Sequence, residues 1–124
     1  EGIFVNMSEC ESPSRSGGMI EYSMLNDVSL QAWSPIMASW EDGTFIDNPK
    51  YEKLNQVLEK LAIKYNASKN AIAVSFILRL PANITPIVGT TSKEHLLEML
   101  KAESIKLTRE EWYSLYLASG HLLP

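Results

Sequence analysis

Two short apolar segments with strand character, separated by about fifty residues of helical pattern, limit what this chain can fold into more than any other feature. In the first, Val28–Trp33, Val28, Leu30 and Ala32 alternate with Ser29, Gln31 and Trp33, until Ser34-Pro35 interrupts the hydrogen-bond ladder. The second, Ile84–Val88, is compact and stops at Gly89. The distance between them is too great for a hairpin, and the intervening sequence reads as helix. Asn48-Pro49 pairs a capping side chain with a proline that has no N–H to waste, and from there Leu54, Leu58, Leu61 and Tyr65, joined by Val57, line one helical face. Ser68 then caps the nearly all-apolar Ala71–Leu80. Length, two alanines and the closing Arg79 and Pro81 favour helix there over strand. Strands so separated are expected to pair in parallel through a right-handed crossover, in a βα barrel or an open α/β sheet.

Shorter elements flank this unit. Ile20 and Met24 give a short helix over Met19–Asn26. Thr91 with Glu94 has the spacing of a capping box, so a helix is expected from Ser92 with Leu96, Leu97 and Leu100 turned inward. Thr108 with Glu111 repeats the device for a last helix lined by Trp112, Leu115, Tyr116 and Ser119 and ended by Gly120. Residues 1–26 divide off as a loop and short helix, and residues 27–124 as the βα units. A lone parallel pair leaves two unpaired edges and an uncovered face, so the expected whole is longer, with further strands upstream. The start at Glu1-Gly2-Ile3, without Met, reads as an internal cut.

Composition narrows the function. A length of 124 residues with 45% hydrophobic and 21% charged residues is that of one soluble domain. No apolar run approaches the ~18 residues of a membrane span, and a net charge of −4 disfavours nucleic acid and anionic membranes as partners. The single Cys10 excludes an internal disulfide and fits a reducing, cytoplasmic setting. Two histidines and one cysteine lie far apart in sequence, so no metal site is expected.

The segment Leu30-Gln31-Ala32-Trp33-Ser34-Pro35, and about fifty residues later Ile87-Val88-Gly89-Thr90-Thr91-Ser92-Lys93-Glu94-His95-Leu96, resemble strands seven and eight of an aldo-keto reductase. Leu107-Thr108-Arg109-Glu110-Glu111-Trp112-Tyr113 and Gly120-His121-Leu122-Leu123-Pro124 are similar to the ending of a bacterial NADP(H)-dependent oxidoreductase branch of that family. The resemblance implies the C-terminal fragment of a (β/α)8 TIM barrel, its last two parallel strands with their helices. It implies an NADP(H) cofactor and a small-molecule substrate whose aldehyde or ketone is reduced to an alcohol. The family's Asp, Tyr, Lys and His would all lie upstream of Glu1, so no residue here is assigned a catalytic role, and the isolated chain is expected to be inactive and to self-associate.

Only a cofactor site carries over. Gly89, Thr90 and Thr91 fall where the family holds the 2′-phosphate and ribose, at a helix start with free N–H groups. His95 occupies the place of an arginine near adenine and phosphate, Glu98 follows, and Met99 stands where the family has an asparagine. Ser34, Pro35, Ile36 and Met37 form the turn beside the pyrophosphate. Trp33 is expected to pack under a helix, and Trp40 to be a substrate-side lid or a loop anchor. Two alternatives compete: a non-catalytic nucleotide-sensing subunit on the same barrel, and an unrelated helical interaction module whose two strands would be unpaired.

Overall fold

The computed structural model describes residues 18–121. The expected loop before residue 18, Cys10 and the last three residues lie outside the described part. The central relation holds: β1 (Leu30–Trp33) and β4 (Ile84–Ile87) pair in parallel, with Leu30 opposite Ile84 and Trp33 opposite Ile87. This pairing removes the feature expected of an unrelated helical module. The architecture is α/β, a parallel pair with helices.

Both strands are shorter than the sequence suggests. Val28 donates its N–H to Ser23 O, closing the turn that follows α1 (Met19–Leu25), and Asp27 before it takes a left-handed φ of 52°. The ladder begins only where Leu30 N donates to Asn83 O, and it ends at Ile87, which frees Val88. Alternation then sorts the side chains. Ala32 and Ile84 are buried with Ile77, while Trp33 and Ile87 are each 44% exposed on the other face. The expected packing of Trp33 under a helix is therefore corrected, because its register position places it on the face that no described helix covers.

The stretch after β1 contains an antiparallel pair, β2 (Met37–Ser39) and β3 (Gly43–Thr44). Gly43 has a φ of 68° at the turn, and Thr44 Oγ1 donates to Ile36 O. Trp40 stands 79% exposed between these strands. Asn48 caps as expected, accepting from Lys50 N–H in a short 3₁₀ turn that leads into α2 (Glu52–Tyr65). Leu54, Leu58 and Leu61 of α2 are buried. Asn66 ends the helix with a left-handed φ of 49°. Ser68 caps α3 (Lys69–Leu78) through Ala71 N–H, and six of the ten residues of this helix are buried, settling the choice of helix over strand. The main core joins Leu54, Leu58 and Leu61 to Ala71 and Ile72 of α3 and to Leu115 of α5 (Arg109–Ala118).

The helix after β4, α4 (Lys93–Leu100), departs from expectation in two ways. Ser92, not Thr91, is the cap: its backbone is extended and its Oγ accepts His95 N–H. Leu96, Leu97 and Leu100 are 40%, 54% and 53% exposed, and the buried residue is Met99. Contact between α4 and α3 runs along the stripe containing Met99, which clusters with Val74 and Ala102 and leaves the leucines to either side. Around α5 the capping box is complete, Thr108 Oγ1 accepting from Glu111 N–H while Glu111 accepts from Thr108 N–H. Trp112 stacks on Phe76 with centroids 4.6 Å apart and donates its Nε1–H to Phe76 O. No helix among the described residues is long and apolar enough to cross a membrane.

Candidate functional site

A parallel pair brings its two C-terminal ends to the same side, so the turns that leave β1 and β4 meet although about fifty residues separate them in sequence. A cleft of 460 Å³ opens there. From the first turn it is lined by Ser34, Pro35, Ile36 and Met37, and from the second by Val88, Gly89 and Thr90. His95 and Met99 of α4, Thr44 and Ile46 of the hairpin, and Asn70 of α3 complete the wall. Seven of the nine residues proposed from sequence thus lie together. Thr91 is exposed and outside the lining, and Glu98 borders a different hollow with Glu59, Ser68 and Lys101.

Local geometry explains the first turn. Ser34 adopts a left-handed φ of 49°, and its carbonyl accepts from Met37 N–H at 3.1 Å, which folds Pro35 and Ile36 over and launches β2. The second turn runs into a helix start: Thr90 Oγ1 accepts Ser92 N–H at 3.2 Å, and Ser92 Oγ donates to Glu94 Oε2 at 2.8 Å. The N–H of Glu94 and the Ser92 hydroxyl hold the Glu94 carboxyl below its ordinary range.

Gly89 is not required by the fold. Of the described glycines, Gly18, Gly43 and Gly120 take positive φ, whereas Gly89 does not. A Cβ at Gly89 would meet no atom within 4 Å. Among the described residues, neither a positive φ nor a neighbouring atom calls for glycine there.

Hydrogen-bonding capacity in the cleft is unevenly used. Thr44 Oγ1 both donates, to Ile36 O, and accepts, from Ile46 N–H. Thr90 Oγ1 is held by Ser92 N–H. Among the described residues, the side chains of Ser34, Asn70 and His95 have no hydrogen-bond partner. The walls between them are apolar, from Pro35, Ile36, Ile46, Val88 and Met99. Such a surface suits a ligand with flat apolar parts and a few polar groups. Among the described residues no group of His, Cys, Asp and Glu could hold a metal ion.

Sequence reasoning missed Thr44 and Ile46 because it missed the hairpin. It missed Val88 and Met99 because an apolar residue at a strand end or on a helix gives no signal of which cavity it faces. Asn70 gave no signal, because a polar residue in the first turn of a helix is ordinary and its sequence position does not show which cavity it faces.

Comparison with known proteins bears on the fold and the family. Over 117 residues, 94% of its length, the chain is 27% identical to the 6-dehydroglucose reductase of Agrobacterium fabrum and covers 38% of that protein. It is 26% identical over 122 residues to the oxidoreductase YdhF of Escherichia coli, covering 40% of it. It therefore spans about two fifths of the length of these relatives. Among solved structures, the thermostable aldo-keto reductase Tm1743 in complex with the inhibitor epalrestat superimposes with a TM-score of 0.64 at 32% identity, over 86% of this chain and 34% of that one. The aldo/keto reductase family model matches residues 4–116, and with the paired strands and their helices this establishes that the chain belongs to the aldo/keto reductase family.

Proposed function

We propose that this chain forms part of the cofactor site of an NADP(H)-dependent reductase that converts aldehyde or ketone groups to alcohols. Family membership supports an oxidoreductase acting on small-molecule carbonyl compounds. The observation that carries the cofactor reading is the meeting of Ser34–Met37 with Gly89, Thr90 and His95 in one cleft at the C-terminal ends of two parallel strands. Ligands of βα folds sit at such ends.

The residues fit a dinucleotide. Gly89 leaves space where any other residue would put a side chain, at the entrance to the first turn of α4. His95 in the first turn of α4 and Ser34 across the cleft have side-chain polar atoms without a partner among the described residues. When bound, the dinucleotide supplies a hydride to the carbonyl carbon. The part of this chain is to hold and orient it. The group that protonates the carbonyl oxygen belongs to the portion of the family barrel upstream of these residues, so the chain alone oxidises no NADPH.

Titration with adenosine 2′,5′-bisphosphate, followed through amide resonances in the longest natural polypeptide containing this chain, tests the reading. Shifts confined to the turns at Ser34–Met37 and Gly89–His95 are expected. An unperturbed Gly89–His95 segment at saturating ligand overturns it.

A further inference from the structure

We propose that Asn70 reads the base of the bound nucleotide, its side-chain amide pairing with the donor–acceptor edge of adenine. The inference rests on the cofactor reading and adds to it a residue on a helix remote from both strand-end turns.

The placement follows from helical periodicity. Asn70 lies in the first turn of α3, four residues before Val74, and His95 lies in the first turn of α4, four residues before Met99. Residues four apart share a helix face. Val74 and Met99 are buried in one cluster, against which Ile36 and Val88 pack. The two helices thus meet through Val74 and Met99, and each carries one polar residue a turn above that contact. Asn70 and His95 both line the cleft, over a floor that includes Ile36, Val88 and Met99.

The amide there has no structural task. Asn48 caps a turn, Asn55 donates to Phe45 O, Asn83 donates to Ser29 Oγ, and Asn26 donates to Tyr22 O. Asn66 provides the left-handed end of α2. Asn70 is half-buried, and among the described residues neither its side-chain carbonyl nor its amino group has a partner. The Asn70 amide is open to solvent, since no buried side-chain nitrogen or oxygen lacks a partner among the described residues, and a ligand offering an adjacent donor and acceptor takes the place of water on both of its groups. Adenine does so: an asparagine amide donates to N7 while its carbonyl accepts from the N6 amino group. The apolar floor suits the face of a purine ring. Among the cleft side chains, Asn70 is the one with a donor and an acceptor side by side.

Hypoxanthine provides the test, because it keeps N7 but replaces the N6 amino donor with a carbonyl acceptor. Binding of ADP and of inosine 5′-diphosphate is measured by calorimetry on the longest natural polypeptide containing this chain, as wild type and as Asn70→Ala and Asn70→Leu. Neither substitution removes a hydrogen bond within the protein, and both residues favour helix, so the variants are expected to fold. The expected result is a preference for ADP of about tenfold in the wild type that falls to near unity in both variants. A wild type without preference, or variants that retain it, overturns the role of Asn70 while leaving the cofactor reading in place. If the wild type binds neither nucleotide, the cofactor reading itself fails and takes this inference with it.

Discussion

Replacing Gly89 by alanine separates the demands of the fold from those of the ligand. In the folded chain the added methyl meets no atom within 4 Å, and the backbone does not sit at positive φ, so it causes neither a clash nor strain. In the unfolded chain it removes backbone freedom, which at a compatible site stabilises by about 0.4–1 kcal/mol. For a domain of this size that is a rise in melting temperature of about 2–5 °C. The same methyl stands in open space at the cleft edge, where crowding a close-fitting ligand costs about 1–3 kcal/mol, or about 5- to 150-fold in affinity. Gly89→Ala is therefore expected to melt higher and bind adenosine 2′,5′-bisphosphate more weakly. Gly43→Ala is the control. It also has free space, but its φ of 68° penalises a side chain, and a loss of about 1 kcal/mol is expected with nucleotide affinity unchanged. Thermal denaturation followed by circular dichroism, with calorimetric titration of each variant, reads both quantities. A lower melting temperature for Gly89→Ala would mean that the fold needs this glycine after all. Unchanged affinity would refute the argument that its space belongs to a ligand.

Glu111 sets an acid limit. Burial alone would push its carboxyl up, but hydrogen bonds from Lys64, Tyr65 and the Thr108 N–H outweigh that and bring it down to about 2 from an ordinary 4.5. A carboxylate depressed on folding stabilises fully above its unfolded value and loses that contribution as pH falls through the folded one. Denaturant midpoints are thus expected to drop between about pH 5 and pH 2, and Glu111→Gln should flatten the drop; an equal slope in both proteins would exclude Glu111 as its source. At the head of α4, Ser92→Ala should cost about 1 kcal/mol and Thr91→Ala almost nothing, as judged by chemical denaturation, and the reverse order would restore the cap to Thr91. The isolated chain exposes Leu97 and Leu100 of α4, Ile63 of α2, and Trp33 and Ile87 on the open face of the strand pair. Self-association is therefore expected in light scattering at low micromolar concentration, and a monomer of 13.9 kDa with cooperative unfolding would contradict it.

The fold was legible where local chemistry and burial pointed the same way. Asn48-Pro49, Ser68 and the Thr108 and Glu111 pair each mark a helix start that the structure keeps, because a capping side chain satisfies backbone N–H groups whatever the tertiary context. Parallel pairing of two distant strands followed from connection length alone. The hairpin was hidden because β2 and β3 have three and two residues, too few for alternation to show, and because its Thr44 and Phe45 bonds run back to Ile36 through contacts that no local pattern encodes. The leucines of α4 misled for a related reason. Hydrophobicity marks a face that can be buried, while the element actually packed against it decides which face is, and here α3 meets Met99.

The site divides along the same line. Gly89, Thr90 and the Ser34–Met37 turn were reached through the resemblance of their motifs to the family's strand ends, and one cleft contains them. Glu98 and Asn70 mark the boundary of that approach. Glu98 lies three residues after His95, near enough in sequence to be grouped with it, yet it borders the hollow toward Glu59 and Ser68, because α4 directs the His95 and Met99 stripe to the cleft and Glu98 to its other side. Asn70 lies twenty-five positions before His95 in sequence and shares its cavity, because α3 and α4 meet one turn below both. Sequence proximity, even within one turn of a helix, therefore does not by itself place two residues in the same cavity. Between helices the grouping is made by the apolar contact, and the polar residue one turn above each buried partner is the one to examine for a ligand.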